Sequence, residues 1–155
     1  MANDKFVYVT YIRTTAEKLW EALTSPEFTR QYWCECSIES NWQKGSDWKL
    51  VAPIGVADGG QIMEIDRPRR LVISWRNEFM SELKAEGYSR ATFELEPAGD
   101  SIKLTVTHEM DRAGSKLIQG VSNGWPAILS SLKSLLETGS ALEATRKWPE
   151  NVKRQ

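Results

Sequence analysis

Ile102-Lys103-Leu104-Thr105-Val106-Thr107-His108-Glu109 decides the fold. Ile102, Leu104 and Val106 share one face of an extended segment, and Lys103, Thr105 and Thr107 share the other. That alternation marks a strand with one dry side, as in an antiparallel sheet covered on a single face. Further on, Gly124-Trp125-Pro126 opens a segment in which Trp125, Ile128, Leu129, Leu132, Leu135 and Leu136 recur at helical spacing among polar Ser130, Ser131, Lys133 and Ser134. The pattern predicts a helix from Gly124 to about Glu137, stopped by Gly139. No other helical stretch is long and apolar enough to cover the sheet.

Earlier segments repeat the strand phase. Trp48, Leu50 and Ala52 form one inward set, Leu71, Ile73 and Trp75 a second, and Ala91, Phe93 and Leu95 a third. Asp66-Arg67-Pro68-Arg69 and Pro97-Ala98-Gly99-Asp100 read as turns. Phe6 to Arg13 is rich in β-branched and aromatic residues and predicts the first strand. Thr14-Thr15-Ala16-Glu17 then supplies a capping box with Thr14 at the cap, and Leu19, Trp20 and Leu23 face a core. A second short helix starts at Ser25-Pro26-Glu27 and runs through Tyr32. The expected class is α+β: a curved antiparallel sheet wrapped around a long C-terminal helix, with two short helices after the first strand. Residues 1–138 make one domain. Residues 139–155 make a polar tail, or a short helix, held loosely by Trp148.

Composition narrows the function classes. The 155 residues carry 41% hydrophobic and 26% charged side chains, ordinary for a globular domain. Seven tryptophans point to an aromatic-rich interior. A net charge of −1 supplies no positive field for phosphate backbones, which excludes nucleic acid as a partner. No stretch approaches the roughly 18–20 apolar residues that span a bilayer, and Met1-Ala2-Asn3-Asp4-Lys5 lacks the order of a signal peptide, so the expected location is cytoplasmic. Cys34 and Cys36 stand one residue apart, too close for an ordinary disulfide, and the chain has one histidine to add to them. They are expected to be reduced, with no metal and no cofactor bound.

Two residues could carry acid–base chemistry. Counting by twos from Ile102 places His108 on the inward face, where a lone histidine more often satisfies hydrogen bonds than catalyses. Glu64 shares a face with Ile62 if the strand is regular, yet Met63 and Ile65 are apolar too, so its side stays open. The residues suited to a small-molecule cavity are Trp48, Leu50, Ile62, Ile73, Trp75, Phe93, Val106, His108, Trp125 and Leu129, with Trp33 after the second helical turn near the expected mouth. Arg67, Arg69 and Arg70 form a basic corner best read as a solvated hairpin end.

Several segments resemble a known family. Thr15-Ala16-Glu17-Lys18-Leu19-Trp20-Glu21-Ala22-Leu23-Thr24-Ser25-Pro26-Glu27 is similar to the start of the START-like (SRPBCC) superfamily, in the branch related to the C-terminal domain of the heat-shock-protein-90 ATPase activator. Glu64 to Trp75, Leu104 to Glu109 and Gly124-Trp125 agree with that branch, over roughly residues 6–138. The resemblance implies the helix-grip architecture of birch pollen allergen, with a pocket between sheet and helix. It implies less about activity, because relatives include lipid carriers, polyketide cyclases, hormone receptors and co-chaperones. The leading expectation is non-catalytic binding or sensing of a small hydrophobic molecule. Alternatives are a cyclase or dehydratase using His108 or Glu64 as general base, and a co-chaperone-like interaction domain with a chaperone or other protein as partner. A monomer and a homodimer are both compatible with the sequence.

Overall fold

A computed structural model describes residues 4–153. The outermost parts of the two expected segments, residues 1–3 and 154–155, lie outside them. The first strand, β1, spans Asp4–Ile12, followed by helices α1 (Ala16–Thr24) and α2 (Pro26–Tyr32). Strands β2 (Ser37–Ser40), β3 (Asp47–Ala52), β4 (Gly55–Asp66) and β5 (Arg70–Asn77) come next. A short helix α3 (Ser81–Lys84) precedes β6 (Ser89–Ala98) and β7 (Ser101–Met110), and the long helix α4 spans Lys116–Thr138. The seven strands form one antiparallel sheet in the order β1-β7-β6-β5-β4-β3-β2. Both edges are early strands, because the chain crosses from β1 to the far edge through α1 and α2 and then returns by hairpins. This is the helix-grip α+β architecture expected from the strand phases.

The alternation places the core where it should. Trp48, Leu50, Leu71, Ile73, Trp75, Phe93, Leu104 and Val106 are buried on the face that meets α4. Leu129 and Leu132 of α4 are sealed against that face, whereas Leu136 is half-buried and Leu135 takes the deeper place. The outer face carries ion pairs instead: Arg70 meets both Glu94 and Glu64, and Arg90 reaches Glu64.

Two local readings need correction. The cap of α1 is Thr15, whose hydroxyl accepts from the Lys18 amide, rather than Thr14. Either threonine can supply the oxygen, and the chain's entry angle selects the second. The long helix begins eight residues before Gly124, at Lys116. Its cap is Ser115, whose hydroxyl accepts from the Ile118 amide, and the Glu86 carboxylate takes the Lys116 amide at 2.8 Å. Gly120, Gly124 and Pro126 are poor helix formers that obscured this first half in sequence.

The tail carries a short helical turn (Glu143–Thr145) and is held at more points than Trp148. Gly139 ends α4 in a left-handed conformation (φ 88°), but packing continues beyond it. Ala141 and Thr145 are buried, the Leu142 amide donates to Ser131 Oγ, and the Cys34 amide donates to the Thr145 carbonyl. Trp148 packs edge-on against Phe79 at 5.5 Å and donates its indole N–H to the Val152 carbonyl. A run of mostly polar residues is fastened by a few apolar anchors that periodicity does not reveal.

Leu132→Ala should cost about 2–5 kcal/mol, the range for emptying a fully buried leucine site. Urea unfolding followed by tryptophan emission measures it. A loss under ~0.5 kcal/mol would mean that α4 does not seal the sheet at this point.

Candidate functional site

The N-terminal half of α4, with its two glycines, does not fill the space above the sheet. A cavity of about 680 Å³ lies there. Trp33, Cys34 and Cys36 from the α2–β2 turn form one wall, and Leu50, Trp75 and Asn77 from the sheet form the floor. Phe79, Met80 and Leu83 close one side, α4 contributes Leu117, Val121, Trp125 and Ile128, and the tail adds Trp148 and Val152. The α2–β2 turn is unusual in its backbone. Cys34 and Glu35 both take positive φ (52° and 63°), a conformation costing about 1–2 kcal/mol for residues with a Cβ. Hydrogen bonds from the tail hold the turn in place, because the Trp148 amide donates to Glu35 Oε1 as the Cys34 amide does to Thr145.

Asp58 is the one carboxyl that the described residues bring to this wall. It pairs with Leu50 on β3 and Asn77 on β5, both buried, so cross-strand register puts it in an inward row. The Trp75 indole N–H donates to its Oδ1 at 3.0 Å and the Asn77 amide at 3.3 Å. Burial pushes Asp58 up to about 7, against those two hydrogen bonds that favour the ionised form, and the nearby Glu78 charge raises it further. Burial also pushes the Cys34 and Cys36 thiols up, so neither is an activated nucleophile.

His108 lies behind the cavity wall rather than on it. Its ring is fully buried against Trp75 and Trp125. The Trp125 indole N–H meets Nδ1 at 3.1 Å, and Ser89 Oγ meets Nε2 at 2.7 Å. An indole nitrogen can only donate, so Nδ1 accepts and the proton sits on Nε2. Nε2 then donates to Ser89 Oγ, whose own hydrogen goes to the Trp75 carbonyl at 3.0 Å. The chain is complete, and burial lowers the imidazole to about 3. With both ring nitrogens hydrogen-bonded and no exposure to solvent, His108 is a neutral joint between α4 and the sheet.

Glu64 is on the outer face, exposed and ion-paired to Arg70 and Arg90. A bulge between Ile62 and Glu64 breaks the alternation that would have given them one side. Of the eleven residues expected around a cavity, Trp33, Leu50, Trp75 and Trp125 line it. Trp48, Ile62, Ile73, Phe93, Val106, His108 and Leu129 are buried elsewhere in the core. Strand phase gives the side of the sheet but not the position along it, and Leu129 and Leu132 fill the other end. Asp58 and Asn77 were missed in sequence. Counting on by twos from Trp75 reaches Asn77, whereas the glycines at 55, 59 and 60 disguise the strand that carries Asp58. Gly60 is required there, since a Cβ would lie 2.0 Å from the Ser74 carbonyl oxygen.

A sheet gripping a long helix, with an apolar cavity at one end of the grip, defines a START-like domain. Within that class the chain belongs to the family described as "Activator of Hsp90 ATPase homolog 1-like protein", whose sequence model matches residues 13–137. CalU16 from Micromonospora echinospora superposes with a TM-score of 0.72 at 20% identity, over 91% of this chain and 78% of that one. The Aha1 dimer from Colwellia psychrerythraea gives 0.71 at 19% identity, over 90% and 98%. An HSP90 activator from Plasmodium falciparum gives 0.68 at 24% identity, over 85% and 95%. Identities this low show the shared fold alone. No curated protein matches the sequence significantly.

Two buried groups, His108 and Asp58, pull stability in opposite directions with pH below neutrality. His108 is lowered from 6.5 to about 3, so between these values the unfolded chain binds the extra proton and stability rises with pH. Asp58 is raised from 3.8 to about 7, so in that window the folded chain binds the extra proton and stability falls with pH. From pH 4 to 6.5 the two contributions cancel. Asp58→Asn removes one of them, and its stability relative to the parent should climb by about 1.4 kcal/mol per pH unit across that window. Denaturant titrations at several pH values read the difference, and a flat or falling difference curve would contradict these assignments.

Proposed function

We propose that the protein binds a small, largely apolar molecule in this cavity and performs no chemistry on it. The observation that carries the reading is the cavity itself. Its size lies within the roughly 300–1,000 Å³ of small-molecule sites, and aromatic and aliphatic walls surround a few polar groups. The helix supports it further. Gly120 and Gly124 lie on the cavity wall, and a Cβ at either would meet nothing within 4 Å. Neither glycine serves a close backbone approach, so each costs helix stability while leaving room beside the wall. Proposed contacts are Trp33, Leu50, Trp75 and Trp125, with Asp58 as the polar group.

The cyclase or dehydratase alternative loses its two expected bases, since His108 is committed to hydrogen bonds and Glu64 faces outward. Asp58 could accept a proton, but the other titratable groups on the wall are two thiols whose acidity burial suppresses. A second reading, association with a chaperone, draws on the family name and on Val7, Val9 and Tyr11, about half exposed along edge strand β1.

Filling the cavity tests the proposal. Gly124→Leu should leave the protein as stable as the parent or more so, by about 0.5–1 kcal/mol of recovered helix propensity. It should also weaken binding of an apolar fluorescent probe at least ~10-fold. Equal probe affinity in parent and variant, or no probe binding by the parent, would overturn ligand binding. Stimulation of a heat-shock-protein-90 ATPase unaffected by the same variant would put the chaperone reading in its place.

A further inference from the structure

We propose that the molecule bound is a lipophilic amine, its ammonium held by the second carboxylate oxygen of Asp58 beside the indoles of Trp33 and Trp75. The inference rests on the cavity-binding reading and names the chemistry of its ligand. Asp58 is nine-tenths buried, and both of its hydrogen bonds, from Trp75 and Asn77, fall on Oδ1. Oδ2 takes no hydrogen bond or ion pair from the described residues. It is also not among their sealed, unpartnered side-chain atoms, of which Thr145 Oγ1 is the one. On a residue that lines the cavity, such an oxygen is offered to an occupant.

The surroundings favour a positive occupant. Among the described residues no lysine or arginine lines the cavity, so none of them neutralises the carboxylate from the wall. The groups facing Asp58 are the thiols of Cys34 and Cys36 from the α2–β2 turn and the carboxylate of Glu78 just beyond β5. Glu78 is itself paired with Arg76 and Lys84. Among the described residues, the parts of β3, α3, α4 and the tail that reach the cavity bring no titratable side chain, and His108 on β7 is neutral and lies behind Trp75. A buried carboxylate without a cation is unfavourable, and an ammonium arriving with its own apolar body completes the pair inside the protein. The indoles add to this. Trp33 stacks on Trp75 at 6.1 Å, and Trp125 meets them edge-on at 5.4 and 5.6 Å, so one end of the cavity is walled by electron-rich rings that attract a cation. Because Asp58 holds its proton up to about pH 7 in the empty protein, binding an ammonium below that pH must displace it.

Calorimetric titration with naphthylethylamine, naphthylethanol and naphthylacetic acid tests the proposal. The parent should bind the amine at least ~10-fold more tightly than the alcohol at pH 8, and the acid most weakly. Asp58→Asn keeps an acceptor for Trp75 and should retain the alcohol while losing the preference for amine. In the parent alone, titrations at pH 6 in buffers of different ionisation enthalpy should show release of close to one proton per amine bound and none for the alcohol. Equal affinities for amine and alcohol, a preference that survives Asp58→Asn, or no proton release would overturn the amine assignment and leave cavity binding standing. Failure of all three probes to bind would overturn both.

Discussion

The hydrogen bond from the Trp125 indole to His108 Nδ1 is the joint on which this molecule turns. It ties the middle of α4 to β7, deep among aromatic rings where no water competes. Through Nε2 and Ser89 the same imidazole reaches the Trp75 carbonyl, so helix, β7, β6 and β5 are linked by one chain of polar groups. Each member has a partner, which a low-dielectric interior demands. At the far end of α4 a second fastening operates: Lys133 donates to the Tyr11 carbonyl, and Glu137 accepts from the Arg13 amide. Between these points Leu129 and Leu132 have no freedom to retreat from the sheet.

The cavity follows from that placement. A helix pinned at Trp125 and packed tightly beyond it must carry its preceding turns over the β3–β5 end of the sheet. Those turns hold two glycines on the cavity wall, at either of which a Cβ would meet nothing within 4 Å. The α2–β2 turn and the tail then fence the opening, each steadying the other through the Cys34–Thr145 and Glu35–Trp148 hydrogen bonds. A rigid core and a partly open mouth thus share one helix.

The same interior separates two titratable groups by environment. His108 is neutral because burial penalises its charge and its neighbours use both nitrogens. Asp58 lies on the wall with one oxygen that the described residues leave unclaimed. Inward phase alone would have ranked the histidine as the chemical residue and passed over the aspartate. Family membership does not decide between them either, because a helix-grip fold hosts carriers, enzymes and chaperone partners alike.

Residue alternation by itself determined the sheet, its dry face and the covering helix, because burial on one side forces a period of two in strands and of 3.6 in helices. It also placed His108, Leu50, Trp75 and Trp125 inward, and the last three line the cavity together with Trp33. Only the tertiary structure decided the rest. A bulge sent Glu64 outward and cross-strand register brought Asp58 beside Leu50 and Asn77, and neither follows from local pattern. The start of α4 was hidden by glycines and proline, whose cost is offset by the cap, by Glu86 and by packing on the sheet. The sequence offered Trp148 as the tail's anchor, and only the tertiary structure supplied its partner Phe79 from far along the chain. Short-range periodicity reports which side of an element is dry, while the position along a sheet where side chains stop filling space depends on elements far apart in the chain.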